Sequence, residues 1–361
     1  MEGRLEGRLE GRLGLSNRVP SATMAGMSWD LMGHDWAVEM LQQHLVSGSL
    51  RHAYLFSGPR GVGRRSLALR FAQAINCPQP TAPGIPCGEC RVCHQIENMQ
   101  HADLNILQSE REGDTLKVEQ VRELQHMLSL APYEGGYRIA LLLRFEEAND
   151  SAQNALLKTL EEPNPRVILL ATADDSENLL PTITSRCELL RLRPMALEAL
   201  ALELQSRRQL DPERAQLIAH IAAGRPGYAL RLAEDESLMA ARSAYLEDCL
   251  KLTGFSRLER LVFAESLVKS RERAEAKGEL RVELTYWLSF WRDVLLTSLG
   301  EAAPLANLDY RREIQRLADL TGSRKAAQIV GALEHSFARL NNANLQVMLD
   351  NLLLQWPLIR D

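Results

Sequence analysis

A chain of 361 residues, 45% hydrophobic and 25% charged, has the material for two or three cored globular domains and is neither a disordered nor a fibrous sequence. Its 42 Lys+Arg stand against 47 Asp+Glu, a formal net charge of −5, which excludes a protein that wraps nucleic acid over its whole surface but leaves room for a local basic patch. No apolar run approaches the roughly 18 residues of a membrane span, and the N-terminus has no apolar signal region, so no membrane partner and a cytoplasmic location are expected.

The first residues, MEGRLEGRLEGRLG, repeat an EGRL unit whose glycines oppose a stable helix, and residues 1–26 read as a disordered or non-native extension. Beyond them, Trp36, Met40, Leu41 and Leu45 recur at helical spacing. Residues 53–56 form a short apolar run that reads as a strand. Residues 67–76 read as a helix, and between the two lies GPRGVGRRS, residues 58–66.

Strand, glycine-rich loop and helix together are the setting of a phosphate-binding P-loop, in which glycines let backbone N–H groups crowd around phosphate oxygens. Of the pattern GxxxxGK[ST], Gly58 and Gly63 are in place and Gly61 adds a third glycine. Arg64 stands where Lys should contact the β/γ-phosphates, Arg65 where a hydroxyl should bind Mg²⁺, and Ser66 comes one position late. The loop therefore keeps the shape of a nucleotide site without its chemistry. Two readings stay open: Arg60, Arg64, Arg65 and Arg70 form a solvated face with Arg64 paired to a nearby carboxylate, or the loop retains phosphate or nucleotide binding without turnover.

After the loop helix, Cys77, Cys87, Cys90 and Cys93 fall in a Pro/Gly-rich excursion too poor in apolar residues to hold itself by a core. Four thiolates on a tetrahedral Zn²⁺ would fold it, as a closed and therefore structural site. Unpaired thiols are the alternative, and disulfides are not expected in a cytosolic chain. Cys187 and Cys249 are isolated and read as structural.

Strand and helix signals then alternate: strands at 103–107, 138–143, 167–173 and 188–192, helices at 118–130 and 149–162. Continuous apolar strands separated by helices indicate a parallel sheet covered on both faces. This places a P-loop-type α/β domain at residues 27–193, with the cysteine insert at 77–93 inside it. Strand signals stop at Pro194. Three short helices make a small lid domain at 194–235, and an all-α domain at 236–361 follows. In that last part Trp287, Trp291 and Leu295 lie on one helical stripe, read as core.

NALLKTLEEPNP (154–165), LLPTITSRC (179–187) and the four-cysteine insert occur together, and this combination resembles the bacterial clamp-loader branch of the AAA+ ATPases over nearly all of the chain from Met27 onward. The resemblance implies an AAA+ domain, a helical lid and a C-terminal collar. It also implies that Ser185, Arg186 and Cys187 form an SRC motif whose Arg186 is an arginine finger acting on the ATP of a neighbouring subunit. Where motor subunits carry the acidic end of the Walker B strand this chain has Leu143 and then Arg144, although Glu146 is still acidic. Where they carry a sensor arginine it has Gly227. With Arg64 and Arg65, three parts of the hydrolysis machinery are missing while SRC is intact, a pattern similar to the non-hydrolysing subunit type. The implied partners are γ/τ and δ subunits in a hetero-pentamer joined through the collar, and through it the sliding clamp and primer-template DNA of a DNA-directed DNA polymerase. Two alternatives remain: an ATP-hydrolysing motor subunit of the same assembly, or a zinc-dependent nucleic-acid-binding module.

Overall fold

In the computed structural model, residues 29–110, 113–134, 136–269, 273–301, 303–340 and 343–359 are described; the extension at 1–26 lies outside them. The chain begins with α1 (Asp35–Val46), β1 (Ala53–Ser57) and α2 (Arg64–Asn76), then α3 (Arg91–Glu97) within the cysteine insert and β2 (Leu104–Leu107). It continues through α4 (Val118–Ser129), β3 (Arg138–Leu142), α5 (Asp150–Glu161), β4 (Val167–Ala173), the one-turn α6 (Pro181–Thr184) and β5 (Glu188–Arg191).

The five strands form one sheet in the order β2-β3-β4-β1-β5, with every neighbouring pair parallel. Every residue of β1, β3 and β4 is buried, which is why these strands are continuous apolar runs and not alternating ones. One face of the sheet packs Tyr54, Phe56 and Leu170 against Leu67 and Phe71 of α2. The other packs Leu55, Leu142 and Leu169 against Leu124 of α4 and Leu156 of α5. Local chemistry sets the helix limits: the Asn149 side chain accepts from the Ala152 N–H at 2.8 Å to start α5, whose chain then meets Pro163. The expected α/β class, a parallel sheet covered on both faces with the glycine loop between its first strand and the following helix, is thus the observed one.

α1 differs in detail from its apolar spacing. The helix buries Ala37, Val38 and Leu41, and Trp36 is left facing outward. The cysteine insert differs too. It is not coreless: Ile85, Val92 and Ile96 are buried, and the Trp29 indole, stacked on Phe71, donates to the Gly84 carbonyl at 2.9 Å.

Past the sheet, α7 (Leu197–Arg208), α8 (Pro212–Ile221) and α9 (Pro226–Glu234) share a small core of Leu200, Leu204, Ile218 and Leu232. The remaining helices are α10 (Glu236–Gly254), α11 (Arg257–Lys269), α12 (Arg273–Ser298), α13 (Arg311–Arg339) and α14 (Leu345–Leu354). They enclose Trp287 and Trp291, both buried as the stripe predicts, edge-on to Trp356 at 5.4 and 5.5 Å between ring centroids. Gly322 breaks α13 with φ 67° and ψ 166°, a conformation open to glycine. Among the described residues no helix is long and apolar enough to cross a membrane.

Arg242 of α10 is fully buried and ties the segment between α12 and α13: it donates to Asp309 at 2.7 and 2.9 Å and to Asn307 at 2.7 Å. Removing one partner of a buried ion pair strands the other, at about 3–5 kcal/mol. Arg242→Leu should therefore lower the unfolding free energy of the C-terminal helices by about 3 kcal/mol, the low end because Asp309 keeps some solvent. Urea denaturation followed by tryptophan fluorescence measures this; an unchanged midpoint would contradict it.

Candidate functional site

The glycine loop connects β1 to α2 and its glycines answer local demands. The Gly58 N–H donates to the Ala173 carbonyl at 3.1 Å, and a Cβ on Gly58 would lie 2.3 Å from the Leu192 carbonyl oxygen. Gly61 has φ 81° and Gly63 φ 112°, both in the left-handed region. The His34 ring holds the loop from the α1 side, its Nε2 at 2.8 Å from the Val62 carbonyl oxygen.

The side chains here answer one another. Arg64, 8% exposed at the first position of α2, donates from Nη2 to Asp174 Oδ1 at 2.6 Å. Arg60 Nε donates to Asp174 Oδ2 at 2.9 Å. Asp174 sits just past the end of β4, where the sheet delivers it to the loop. Leu143, at the place of a Walker B acid, is core. Arg144, in the left-handed region at φ 50°, folds onto Glu147 at 3.0 and 3.1 Å, and the Glu147 carboxylate also accepts from Ser109. Arg65 and Ser66 are exposed.

The lid closes on the same loop. The Gly61 carbonyl accepts from the Gly227 N–H at 2.8 Å and the Tyr228 N–H at 3.2 Å, so the first residues of α9 rest on it. The Tyr228 hydroxyl reaches Tyr286 of α12 at 2.7 Å, linking loop, lid and C-terminal helices. A cavity of about 620 Å³ remains beside the loop, lined by His34, Gly63, Ser66, Arg70 and Leu230.

The four insert cysteines come together, all sulfurs within 4.8 Å of one another. Cys77 and Cys87 are 3.6 Å apart, Cys87 and Cys93 3.9 Å. Tetrahedral thiolates 2.3 Å from one ion would be about 3.8 Å apart, so the donor set fits a metal. Backbone N–H groups point at the sulfurs, from Cys87 to Cys77, Cys90 to Cys87 and Cys93 to Cys90 at 3.3 to 3.4 Å. The amides of Cys90 and Glu89 lower the Cys87 thiol to about 6, while burial raises Cys93. Gln73 of α2 donates to the Cys93 carbonyl at 2.8 Å, joining the cluster to the loop helix.

Ser185, Arg186 and Cys187 link α6 to β5. Cys187 packs against the sheet, and burial raises its thiol to about 12, an anchor and not a nucleophile. Arg186, its side chain 36% exposed, donates to Glu161 at 2.8 Å and to the Thr182 carbonyl at 2.8 Å. The Ser185 hydroxyl caps the same turn, 3.3 Å from Thr182 O.

The family model described as DNA polymerase III, delta subunit matches residues 33–196, and its C-terminal counterpart matches residues 260–357. The DNA polymerase III subunit delta′ of Pseudomonas aeruginosa is 34% identical over 316 residues, covering 84% of this chain and 91% of that protein. The chain belongs to the DNA polymerase III delta′ family. The tau subunit of Escherichia coli is 33% identical over a shorter stretch, 57% of this chain and 32% of its own length. Among solved structures, a DNA polymerase III gamma-subunit-related protein from Thermotoga maritima aligns over 88% of this chain and 97% of its own, with 17% identity and a TM-score of 0.49.

Sequence reasoning singled out Arg64 but not its partner Asp174, 110 residues away, nor the lid contact between Gly227 and Gly61. The only signal for Asp174 was its place at the C-terminal end of a parallel strand, where such sheets put their sites. Glu146 completes the arrangement. Burial raises its carboxyl above the usual range and the Asp174 charge adds to this, while the backbone amides of Glu146 and Asp174 and the Arg64 charge act in the opposite sense.

A carboxyl whose folded pKa lies above its unfolded one holds its proton more tightly in the native state. Its contribution is present at low pH and lost as pH rises from about 4.5 through the raised value. Glu146→Gln should remove that loss: above the raised value the variant is more stable than wild type, and the fall in unfolding free energy with rising pH is shallower. Denaturant titrations across that window measure the slopes, and parallel profiles would refute the assignment.

Proposed function

We propose that this chain is the non-hydrolysing delta′ subunit of the DNA polymerase III clamp loader, supporting ATP-dependent loading of the sliding clamp onto primed DNA while turning over no ATP itself. The observation that carries this is the Arg64–Asp174 pair at 2.6 Å. The guanidinium that replaces the phosphate-binding Lys is committed to a carboxylate of its own chain. Arg is in any case no substitute for the compact ammonium at that position. Leu143 in the core and Gly227 on the loop agree with it. The relatives are named as DNA polymerase III subunits, which supports a subunit of that assembly; we infer γ/τ and δ subunits as partners, the helices of 236–361 as the collar of a hetero-pentamer, a lid at 194–235, and clamp and primer-template DNA reached through the complex. A cytoplasmic location follows from that role.

One observation favours a second reading at the loop, anion binding without turnover. Arg64 Nη1 is buried with no hydrogen-bond partner among the described residues. Gly63 and Ser66, on either side of the two arginines, line the 620 Å³ cavity, where the backbone amides of the loop and helix start would receive a phosphate oxygen.

Arg186 is assigned as a finger in trans. It stands on a turn anchored by Cys187, and its contacts to Glu161 and Thr182 are on a partly exposed surface where exchange for a γ-phosphoryl oxygen costs little. A finger contributes about 10³- to 10⁵-fold at the site it serves. In reconstituted complexes Arg186→Ala should abolish turnover at that one interface and lower clamp loading, with Arg186→Lys rescuing poorly because planar bidentate contact is lost. The isolated wild-type chain should show no turnover. DNA-stimulated ATPase and loading assays decide: equal rates for wild-type and Arg186→Ala complexes would remove the finger, and steady turnover by the pure chain would remove the non-hydrolysing role.

Cys77, Cys87, Cys90 and Cys93 are assigned to one structural Zn²⁺, which closes the insert and offers no open position for chemistry. Elemental analysis of protein purified under reducing conditions without chelator should give one zinc per chain, and Cys87→Ser should lower that content. Metal-free protein would sink the assignment.

A further inference from the structure

Five tryptophans occur in the chain, and four of them are core: Trp29, Trp287, Trp291 and Trp356. Trp36 is 49% exposed at the start of α1. It lines an open groove of about 660 Å³ together with Leu189, Arg191, Arg193 and Pro194. This groove runs along β5, the edge strand of the sheet.

Strand alternation decides what the edge presents. Leu190 and Leu192 point into the core, and the Leu192 N–H still pairs with the Ser57 carbonyl at 2.7 Å, so the extended backbone continues past β5. With a period of two, Leu189, Arg191 and Arg193 fall on the opposite side. Two exposed arginines therefore stand next to each other on one side, their backbones about 6.6 Å apart along the strand. Neither has an ion-pair or hydrogen-bond partner among the described residues, whereas Glu188, the one acid of β5, is 3.7 Å from Arg51. In a chain of net charge −5, two uncompensated arginines beside a solvent-facing indole are an arrangement that folding does not require.

We propose that the groove formed by Trp36, Leu189, Arg191 and Arg193 binds single-stranded nucleic acid, the indole stacking on a base and the two guanidinium groups contacting adjacent phosphates. Aromatic platforms flanked by cations are the sequence-tolerant way to hold an unpaired strand. A duplex offers no base face to Trp36. A peptide added to the edge of β5 would gain only a short ladder and leave both arginines unused. Arg186 does not line the groove, and His34 is the one residue it shares with the cavity beside the glycine loop.

The test uses the full chain and a labelled deoxythymidine oligonucleotide at low salt. Binding is read by anisotropy, and stacking by quenching of protein fluorescence, to which the buried tryptophans are insensitive. Trp36→Ala should weaken binding by about 5- to 150-fold, the range for loss of one stacked base, and abolish the quenching. Arg191→Gln with Arg193→Gln should weaken binding and reduce the slope of log K against log salt by about 1.4, two phosphate contacts on a single strand. All three positions are exposed, so the variants fold, and retained zinc content and unfolding midpoint check this. No quenching at low salt, quenching that survives Trp36→Ala, or equal affinity for a duplex would overturn the proposal. So would unchanged oligonucleotide affinity with lost assembly into the subunit complex, which would make the edge a protein interface.

Discussion

The contact on which the arrangement of this chain turns is the Gly61 carbonyl, capped by the N–H groups of Gly227 and Tyr228 at 2.8 and 3.2 Å. It leaves no room for a side chain on Gly61 and little for one on Gly227. A Cβ on Gly61 would stand 2.8 Å from Tyr228 Cβ, and one on Gly227 would stand 3.0 Å from the Gly61 carbonyl oxygen. Two residues 166 positions apart thus favour glycine for α9 to lie on the loop, Gly61 strictly and Gly227 through a tight contact. Tyr228 then carries the contact onward to Tyr286, so the sheet domain, the lid helices and the C-terminal helices meet through one short chain of hydrogen bonds. An arginine at Gly227, where the resemblance to motor subunits would place a sensor residue, would set its Cβ tightly against the Gly61 carbonyl, so the close seating of α9 favours the glycine.

The glycine loop separates shape from chemistry in the same way. Its fold is usually explained by phosphate, yet each glycine here meets a demand of the polypeptide: Gly58 passes the end of β5 against Leu192, Gly61 receives α9, and Gly63 turns the chain into α2. The charges nearby are largely self-neutralising, with Asp174 between Arg60 and Arg64 and Glu147 between Arg144 and Ser109. Packing therefore retains the loop after its Lys and Ser/Thr have gone. A degenerate P-loop that keeps its glycines is what such packing produces, and the glycines on their own carry no information about nucleotide.

Much of the fold is legible in the sequence because a covered parallel sheet writes its strands as unbroken apolar runs. Residues 139–142 and 167–171 are such runs, and both strands that contain them are buried throughout. Trp287 and Trp291 are legible for a similar reason, a stripe of large apolar residues at helical spacing. Trp36 shows where the signal fails. An aromatic residue one position from Ala37 sits near enough to the apolar stripe to join it by spacing, and only the packed helix shows that the small Ala37 and Val38 carry the inner face. The cysteine cluster is legible because thiols have few other uses at such spacing. Its attachments are not: the indole of Trp29 and the amide of Gln73 reach it from 55 and 20 residues away. Asp174 is invisible for the same physical reason, since no local pattern distinguishes a carboxylate that will meet a guanidinium from one that will meet water.

The two sides of the AAA+ domain are treated differently, and this asymmetry bears on function more than any single lost motif. At its own loop the arginine in the Lys position is turned inward: Arg64 is buried on Asp174, and α9 is seated on Gly61. At the SRC turn the construction is reversed. Cys187 is drawn into the sheet, and that burial fixes the turn while Arg186 stays partly in solvent, held by an exposed carboxylate and a carbonyl. An ion pair between exposed groups is weak, about 0–1 kcal/mol, whereas the buried Arg64 guanidinium cannot leave its carboxylate without stranding its own charge. The same residue type is therefore locked at one end of the domain and available at the other. A subunit that turns over nucleotide needs the opposite at its loop, an uncommitted cation facing an open phosphate site. The SRC turn offers the other arrangement, an arginine on an anchored turn whose exposed ion pair can be exchanged at little cost.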